Sequence, residues 1–507
     1  MRESITYTNP VLPGFYPDPS VCRVGEDYYL VTSSFEYFPG IPLFHSRDLI
    51  HWQQIGHCLT RASQVPLAHI DSSTGIFAPT LRYHQGRFYM VTTNVTGGGN
   101  FFVWAQDPAG PWSEPIWLAQ GGIDPSLCFD GEHVYLTSNG DGPEIGIYQC
   151  ELDIQSGEQL TETRYIWPGT GGRYPEAPHL YHIGDYYYLL IAEGGTEYGH
   201  MATIARSHSP WGPFESCPYN PILTHRDQTM HEIQGTGHAD LLQAHDGSWW
   251  LFFLAFRPHD RLYHHLGRET YLAPITWTED GWPQVSASKT VELQMQAQAL
   301  PLHCLPQESP RDDFDSEQLR FSWNHLRNPY PEDWSLSERP GWLRFYGSPL
   351  TLDSLDAPAF VGRRQQHFVC CVETLLDFSP SQEGHEAGLT VLANEQHHYE
   401  IAVLYKEGER WIIVRRRIGD LVAVVAQEPL APGLVTLTIQ ATVSAYSFCY
   451  ALAGQPARHL ASASTRYLST EVAGGFTGVY FGLYATSNHN GRTSPADFDW
   501  FTYHAER

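Results

Sequence analysis

The segment Asp18–Ser34, DPSVCRVGEDYYLVTSS, reads as an apolar stretch, a glycine at residue 25 and a second stretch rich in tyrosine. That is the pattern of a β-hairpin. Four further segments repeat it: Ala78–Asn94 (APTLRYHQGRFYMVTTN), Asp124–Gly140 (DPSLCFDGEHVYLTSNG), Ala177–Glu193 (APHLYHIGDYYYLLIAE) and Ala239–Ala255 (ADLLQAHDGSWWLFFLA). When each is anchored on its second residue, Pro19, Pro79, Pro125, Pro178 or Asp240, an aromatic stands ten residues later in every copy: Tyr29, Tyr89, Tyr135, Tyr188 and Trp250. A glycine (25, 86, 131, 184, 247) falls six or seven residues after each anchor.

The anchors are 60, 46, 53 and 62 residues apart, room for about four strands per repeat, the size of a propeller blade. The expectation is an all-β chain: a five-bladed β-propeller over residues 1–290, with the repeats beginning near residue 8. A connector follows over 291–310. Residues 311–507, with WLRFYG, HFVCCVETLL, HYEIAVLY, RWIIVRRR, LVTLTIQ and TGVYFGLYA, read as a jelly-roll-like β-sandwich.

Composition agrees. Aromatic residues make up 13% of the 507, with 44 Gly and 36 Pro, a balance that favours short strands and tight turns over helices. With 30 Lys+Arg against 56 Asp+Glu the formal charge is −26, which opposes binding to nucleic acid or to an anionic membrane. The longest apolar run is eight residues, Trp249–Phe256, well short of the roughly 20 that span a bilayer. MRESITYTNP lacks a secretory pattern, and the nine scattered cysteines include no CxxC pair. The expectation is a cytoplasmic protein with reduced thiols, in which Cys370 and Cys371 point to opposite faces of a strand.

Residues just before the anchors start the first strand of each blade and therefore converge on one end of a central channel. They are Asp18, Ala78, Asp124, Ala177 and Ala239, preceded by Pro17, Phe77, Ile123, Glu176 and His238. Folding has no need of three carboxyls there, because burying like charges together is costly. Glycoside hydrolysis does need such a set: a protonated acid for the leaving oxygen, a carboxylate for water or carbon, and a neighbour that tunes the acid. Phe35, Phe77 and Trp104 are candidate walls for a sugar ring. HEIQG at His231 lacks the second histidine of a zinc-protease motif, Gly97–Gly99 lacks a Walker lysine, and His259, His264 and His265 have no frame of further ligands.

The segments NPVLPGFYPDPS, SSFEYFPGIPLFHSRDLIHW, GIFAPTLRYH, GGIDPSLCFD, RYPEAPHLY, AEGGTEYGHM and GTGHADLL resemble glycoside hydrolase family 43, and within it the β-xylosidase/α-L-arabinofuranosidase branch. RDDFD, RRQQHF and ADFDWFTY are similar to the β-sandwich appended to those enzymes. The resemblance implies inversion by single displacement, with Asp18 as general base, Glu176 as general acid and Asp124 as the carboxyl that orients Glu176 and raises its pKa. It implies that Arg268 pairs with substrate hydroxyls and the acids, and that His238 lies under the channel, where some members hold Ca2+ through water. No cofactor is required. Phe77 stands where Trp is expected and Ala177 where Gly is common.

The sandwich is expected to close the pocket through Phe476, so that one terminal sugar is cut at a time. The expected activity is removal of terminal β-D-xylose from short xylo-oligosaccharides. α-L-Arabinofuranosidase or dual activity is the sibling alternative, and a non-catalytic carbohydrate-binding propeller the alternative of another class. The expected partner is a small oligosaccharide, with no nucleic acid or membrane, and the acidic surface is compatible with a homo-oligomer.

Overall fold

The computed structural model describes residues 4–140, 142–298, 300–306 and 308–505; Met1–Glu3, at the start of the segment read for a leader, and Glu506–Arg507, at the end of the C-terminal domain range, lie outside them. Five antiparallel sheets follow one another along the first half, and each starts with one of the repeated hairpins. The first sheet is Ser20–Val24, Asp27–Val31, Gly40–Ser46 and Gln53–Leu59, hydrogen-bonded in chain order. The first strands of the other four are Thr80–His84, Ser126–Asp130, Glu176–Ile183 and Gln234–Gln243.

The hairpin turns explain the repeated glycines. At Val24–Asp27, Asp130–His133 and Ile183–Tyr186 the two-residue loop begins with Gly25, Gly131 or Gly184, at φ +65°, +61° and +61°. That backbone region is free for glycine and strained for other residues, and it matches the twist of paired strands.

The five first strands pack side by side in chain order, and the fifth, Gln234–Gln243, returns to contact the first, Ser20–Val24. Between successive sheets lie separate apolar cores. Val31, Leu43, Leu81 and Met90 fill one, and Leu190, Ile204, Leu251 and Phe253 another. The ring is tied where Asn9 donates to Leu272 O and accepts from Leu272 N, both at 2.9 Å.

The stretch 291–310 does more than connect. Gln294–Gln298 forms a strand that pairs antiparallel with Ser4–Thr8. Alternation of Val291, Leu293, Met295 and Ala297 gives it one apolar face, which packs on the core beside Tyr7 and Trp250.

The C-terminal half is a β-sandwich. One sheet carries Ala359–Arg364, Tyr480–Thr486, Glu386–Asn394, His397–Lys406, Glu409–Ile418 and Leu421–Pro429 in that order. The other is centred on Ala496–Ala505, Cys370–Phe378 and Val435–Ala441. Their inner faces share one core that includes Leu389, Ile401, Val414, Leu437 and Phe498. Cys370 is buried in it while Cys371 points the other way and is half-exposed. All nine cysteines are free thiols, and no helix among the described residues is long and apolar enough to cross a membrane.

The outer face of the first of these sheets lies against the ring. Tyr480 stacks on Tyr37 with ring centroids 4.0 Å apart, and Phe15, Phe35 and Phe360 belong to the same buried cluster. Arg364 donates to Phe15 O at 2.7 Å, and His325–Leu326 pairs with Tyr37–Phe38. These contacts bring the Phe476 loop to the end of the ring where the first strands begin.

Candidate active site

The carboxyls owe their positions to irregular strand starts. Asp18 and Asp124 are each separated from a first strand by one proline, Pro19 or Pro125, and have φ +55° and +56°. In the fourth sheet Glu176 pairs with Ala192 and His179 with Leu190, so one extra residue is accommodated and Ala177 is driven to φ +51°. The fifth sheet repeats the device, with a register shift between Gly237 and Asp240 and His238 at φ +48°. Such bulges re-aim side chains at the rim of a sheet, and a non-glycine residue there stores about 1–2 kcal/mol of strain.

Asp18 is buried. Its carboxylate accepts from Arg268 Nη1 at 2.8 Å and from Ser33 Oγ at 2.5 Å, and His238 Nδ1 lies 3.6 Å away. Burial alone would raise its pKa, but Arg268, His238 and the Ser33 hydroxyl outweigh burial and hold it below the usual carboxylate value. Asp18 is therefore an ionised carboxylate at neutral pH.

Glu176 is driven in the opposite direction. Burial, and then the negative charge of Asp18, push it up to about 7 against the pull of Arg268. No side chain among the described residues donates a hydrogen bond to its carboxyl. Asp124 is also raised, by burial, by Glu176 and by Asp18, although Ala177 N donates to its Oδ2 at 3.1 Å. Repulsion between Asp124 and Glu176 is mutual, so a proton on either eases the charge of the other. Two carboxyl environments with pKa values driven apart are what an acid and a base require.

Arg268 joins these groups to the C-terminal sheets. Besides Asp18 it donates to Thr196 Oγ1 at 3.1 Å and to Phe476 O at 3.4 Å, and its guanidinium lies 5.7 Å and 5.6 Å from the Phe35 and Phe476 ring centres. Phe35 stacks on Phe476 at 6.0 Å, and Phe77 lies 5.3 Å from Phe35 and 6.1 Å from Phe476. The three phenylalanines make one apolar wall beside the acids.

Trp104 does not join them. It lies across from Tyr89 toward the Gln85–Gly86 turn, at the far end of the second sheet, with the Arg87 guanidinium 4.4 Å over its ring. The reason is register: residues near the second-to-third-strand turn reach the mouth, and Trp104 is near the end of its strand away from that turn.

Beneath His238 a polar hub connects all five sheets. Asp240 Oδ2 accepts from Ser20 Oγ at 2.7 Å and Arg82 Nη1 at 2.9 Å, and its Oδ1 accepts from Tyr181 OH at 2.6 Å. Arg82 Nη2 and Ser126 Oγ both meet His179 Nδ1, at 3.0 and 3.1 Å. Asp240 is the one anchor that is not proline, a departure from the repeat that marks the hub in the sequence. The Asp240 carboxylate is already paired with Arg82 at 2.9 Å, and among the described residues no group of three or more His, Cys, Asp or Glu side chains is placed to hold a metal ion such as Ca2+, which takes six to eight oxygen ligands.

Convergent carboxyls, one ionised and one raised, beside an apolar wall at the mouth of an all-β ring define a glycosidase type of site. The chain belongs to the family: the model of glycosyl hydrolases family 43 matches residues 7–283, and that of the beta xylosidase C-terminal concanavalin A-like domain matches residues 311–504. This is a β-propeller family with a C-terminal β-sandwich.

The chain is 46% identical over 505 residues, 98% of its length and 94% of the relative's, to the non-reducing end alpha-L-arabinofuranosidase BoGH43B of Bacteroides ovatus. It is 38% identical to a xylosidase/arabinosidase of Butyrivibrio fibrisolvens, covering 97% of this chain and 98% of that protein. Among solved structures, the Bacteroides ovatus xyloglucan PUL GH43B superposes with a TM-score of 0.96 at 44% identity, over 99% of this chain and 100% of the other.

Proposed function

We propose that this protein is an inverting, exo-acting glycosidase that removes one terminal pentose at a time, built on a five-bladed propeller. The five successive sheets and the return of the fifth first strand to the first support the blade count. The observation that carries the chemistry is the split between Asp18, held ionised by Arg268 and Ser33, and Glu176, raised to about 7.

In this reading Asp18 takes a proton from water as the water attacks the anomeric carbon. Glu176 gives its proton to the leaving oxygen, and the sugar leaves with its anomeric configuration inverted. Asp124 stays beside Glu176, holds the Ala177 amide and keeps the acid protonated. Arg268 keeps the base charged, with Nη1 shared between Asp18 and Thr196 and Nη2 between Asp18 and Phe476 O. The Phe35–Phe77–Phe476 wall takes the apolar face of one ring, and the Phe476 loop blocks continuation of the chain beyond it. The Arg82–Asp240 hub closes the channel below, and no step here passes through a metal.

Two sugars fit this chemistry. Terminal β-D-xylose is the sugar expected from the sequence motifs, while α-L-arabinofuranose is favoured by the 46% identical relative, a non-reducing end alpha-L-arabinofuranosidase. Initial rates on 4-nitrophenyl α-L-arabinofuranoside and 4-nitrophenyl β-D-xyloside decide between them. Release from at least one is expected, and release from neither would leave binding without cleavage as the reading.

A further inference from the structure

Tyr174, two residues before Glu176, is 59% exposed although it is a large aromatic at the mouth of the ring. Its backbone has φ +51°, and it precedes Pro175. Sterics push a residue before proline to extended backbone, and bulky side chains rarely enter the left-handed region. The ring is thus held outward at a cost. Its supports are local: the Arg173 guanidinium lies 5.1 Å from the ring centre, Gly194 N donates to Arg173 O at 2.6 Å, and a Cβ on Gly195 would stand 3.1 Å from Tyr174 Cδ2. The next residue, Thr196, accepts from the same Arg268 nitrogen that holds Asp18. The exposed ring is therefore tied to the catalytic constellation and does not belong to any of the apolar cores.

Resting on the glycosidase reading above, we infer that Tyr174 is the platform for the leaving sugar. The terminal ring occupies the side walled by Phe35, Phe77 and Phe476. The bond to be broken faces Glu176, and the residue beyond it emerges past Glu176 toward solvent, where Tyr174 presents its face. A neutral pyranose or furanose has an apolar C–H face that stacks on such a ring. Strain kept at an exposed aromatic beside the acid is a feature of ligand clamps. Tyr174 sets which leaving group is accepted and takes no part in bond breaking.

The test compares two substrates of whichever pentose the wild type releases: a disaccharide, and the glycosyl fluoride, whose leaving group is a single atom. Tyr174→Ala lowers kcat/KM on the disaccharide about tenfold, chiefly through KM, as loss of one aromatic face implies. The fluoride shows no comparable loss, and Tyr174→Phe, which keeps the ring, restores the disaccharide rate. Equal losses on both substrates would overturn the platform role in favour of a structural one. An unchanged disaccharide rate in Tyr174→Ala would overturn this proposal alone, whereas wild-type protein inert on both substrates would overturn it together with the glycosidase reading.

Discussion

Phe476 and Ser73, 403 residues apart in the chain, are joined by a hydrogen bond of 2.8 Å from the Phe476 amide to the Ser73 hydroxyl oxygen. Ser73 is itself fixed, because its amide donates to Glu36 Oε2 at 2.9 Å, and Glu36 is a buried carboxyl pushed up to about 7 by that burial. On the other side of the loop Glu471 binds the His264 amide at 2.9 Å and its ring at 2.6 Å. The sandwich thus delivers one phenylalanine to the sugar wall and latches it at both ends.

The latch leaves no room at residue 475. A Cβ on Gly475, at φ +79°, would stand 2.3 Å from Ser73 Oγ. Gly475→Ala is expected to displace Phe476 and raise KM on terminal-pentose substrates about tenfold, as a wall contact of about 1–1.5 kcal/mol implies. Phe476→Ala is expected to weaken the preference for short chains. Steady-state kinetics across a ladder of chain lengths checks both, and a preference for short chains retained by Phe476→Ala would remove its role.

Activity should follow a bell in pH. As pH rises through about 7, Glu176 loses the proton it must donate and the rate falls; as pH drops, Asp18 gains a proton and can no longer accept one from water. Asp124 and Glu176 repel each other when both are ionised, so Asp124→Asn removes that repulsion and the alkaline limb moves to lower pH. A pH–kcat/KM profile of the variant with an unmoved upper limb would count against that assignment.

Arg268 lowers the pKa of both Asp18 and Glu176. Arg268→Gln should therefore move both limbs of the profile to higher pH, besides lowering kcat/KM by about 100-fold or more through loss of a charged hydrogen bond. A drop in rate with both limbs in place would mean that Arg268 serves only to bind substrate.

Ala177 occupies a left-handed backbone position that glycine adopts without strain. Ala177→Gly is expected to raise stability by about 0.5–1 kcal/mol with the carboxyls still in place, since relief of strain outweighs the added freedom of the unfolded chain. The midpoint of thermal unfolding measures it, and a lowered midpoint contradicts the strain.

In the sandwich His398 lies between Glu400 and Asp353, and despite burial these carboxylates raise it to about 9. Its folded pKa exceeds the unfolded value, so its contribution is complete below about 6.5 and lost as pH rises through about 9. The unfolding midpoint should fall across that window in the wild type and fall less in His398→Gln. Equal slopes for the two proteins would show that His398 is not the titrating group.

The hairpin repeat was legible because turn glycines and ten-residue offsets are local constraints, and the same frame singles out Asp18, Asp124, Glu176 and His238, although the fifth first strand begins earlier, at Gln234, and carries His238 at its bulge. Arg268 and Phe476 came from family resemblance, since nothing in LGRET or GGFTGVYFGL alone states that the two meet. The Ser73 latch could not be read, because a contact across 403 residues leaves no periodicity. Arg82 carries no signal of its own in the sequence, because only its contact with Asp240, 158 residues away, marks it. In the sandwich, Leu421–Pro429 escaped notice because it is an exposed edge strand, apolar on both faces and so without alternation. The strand at 294–298 was hidden by its Gln and Ala content, which resembles a linker.

The central claim is that Asp18 activates water while Glu176 protonates the leaving oxygen. Proton NMR of the first sugar released tests it most directly, with xylobiose and an aryl α-L-arabinofuranoside as substrates. The account predicts that the first product carries the anomeric configuration opposite to that of the bond cut, α-xylose from the β-linked substrate or β-arabinofuranose from the α-linked one. First appearance of the retained anomer would contradict it, because Asp18 would then be attacking carbon and not water.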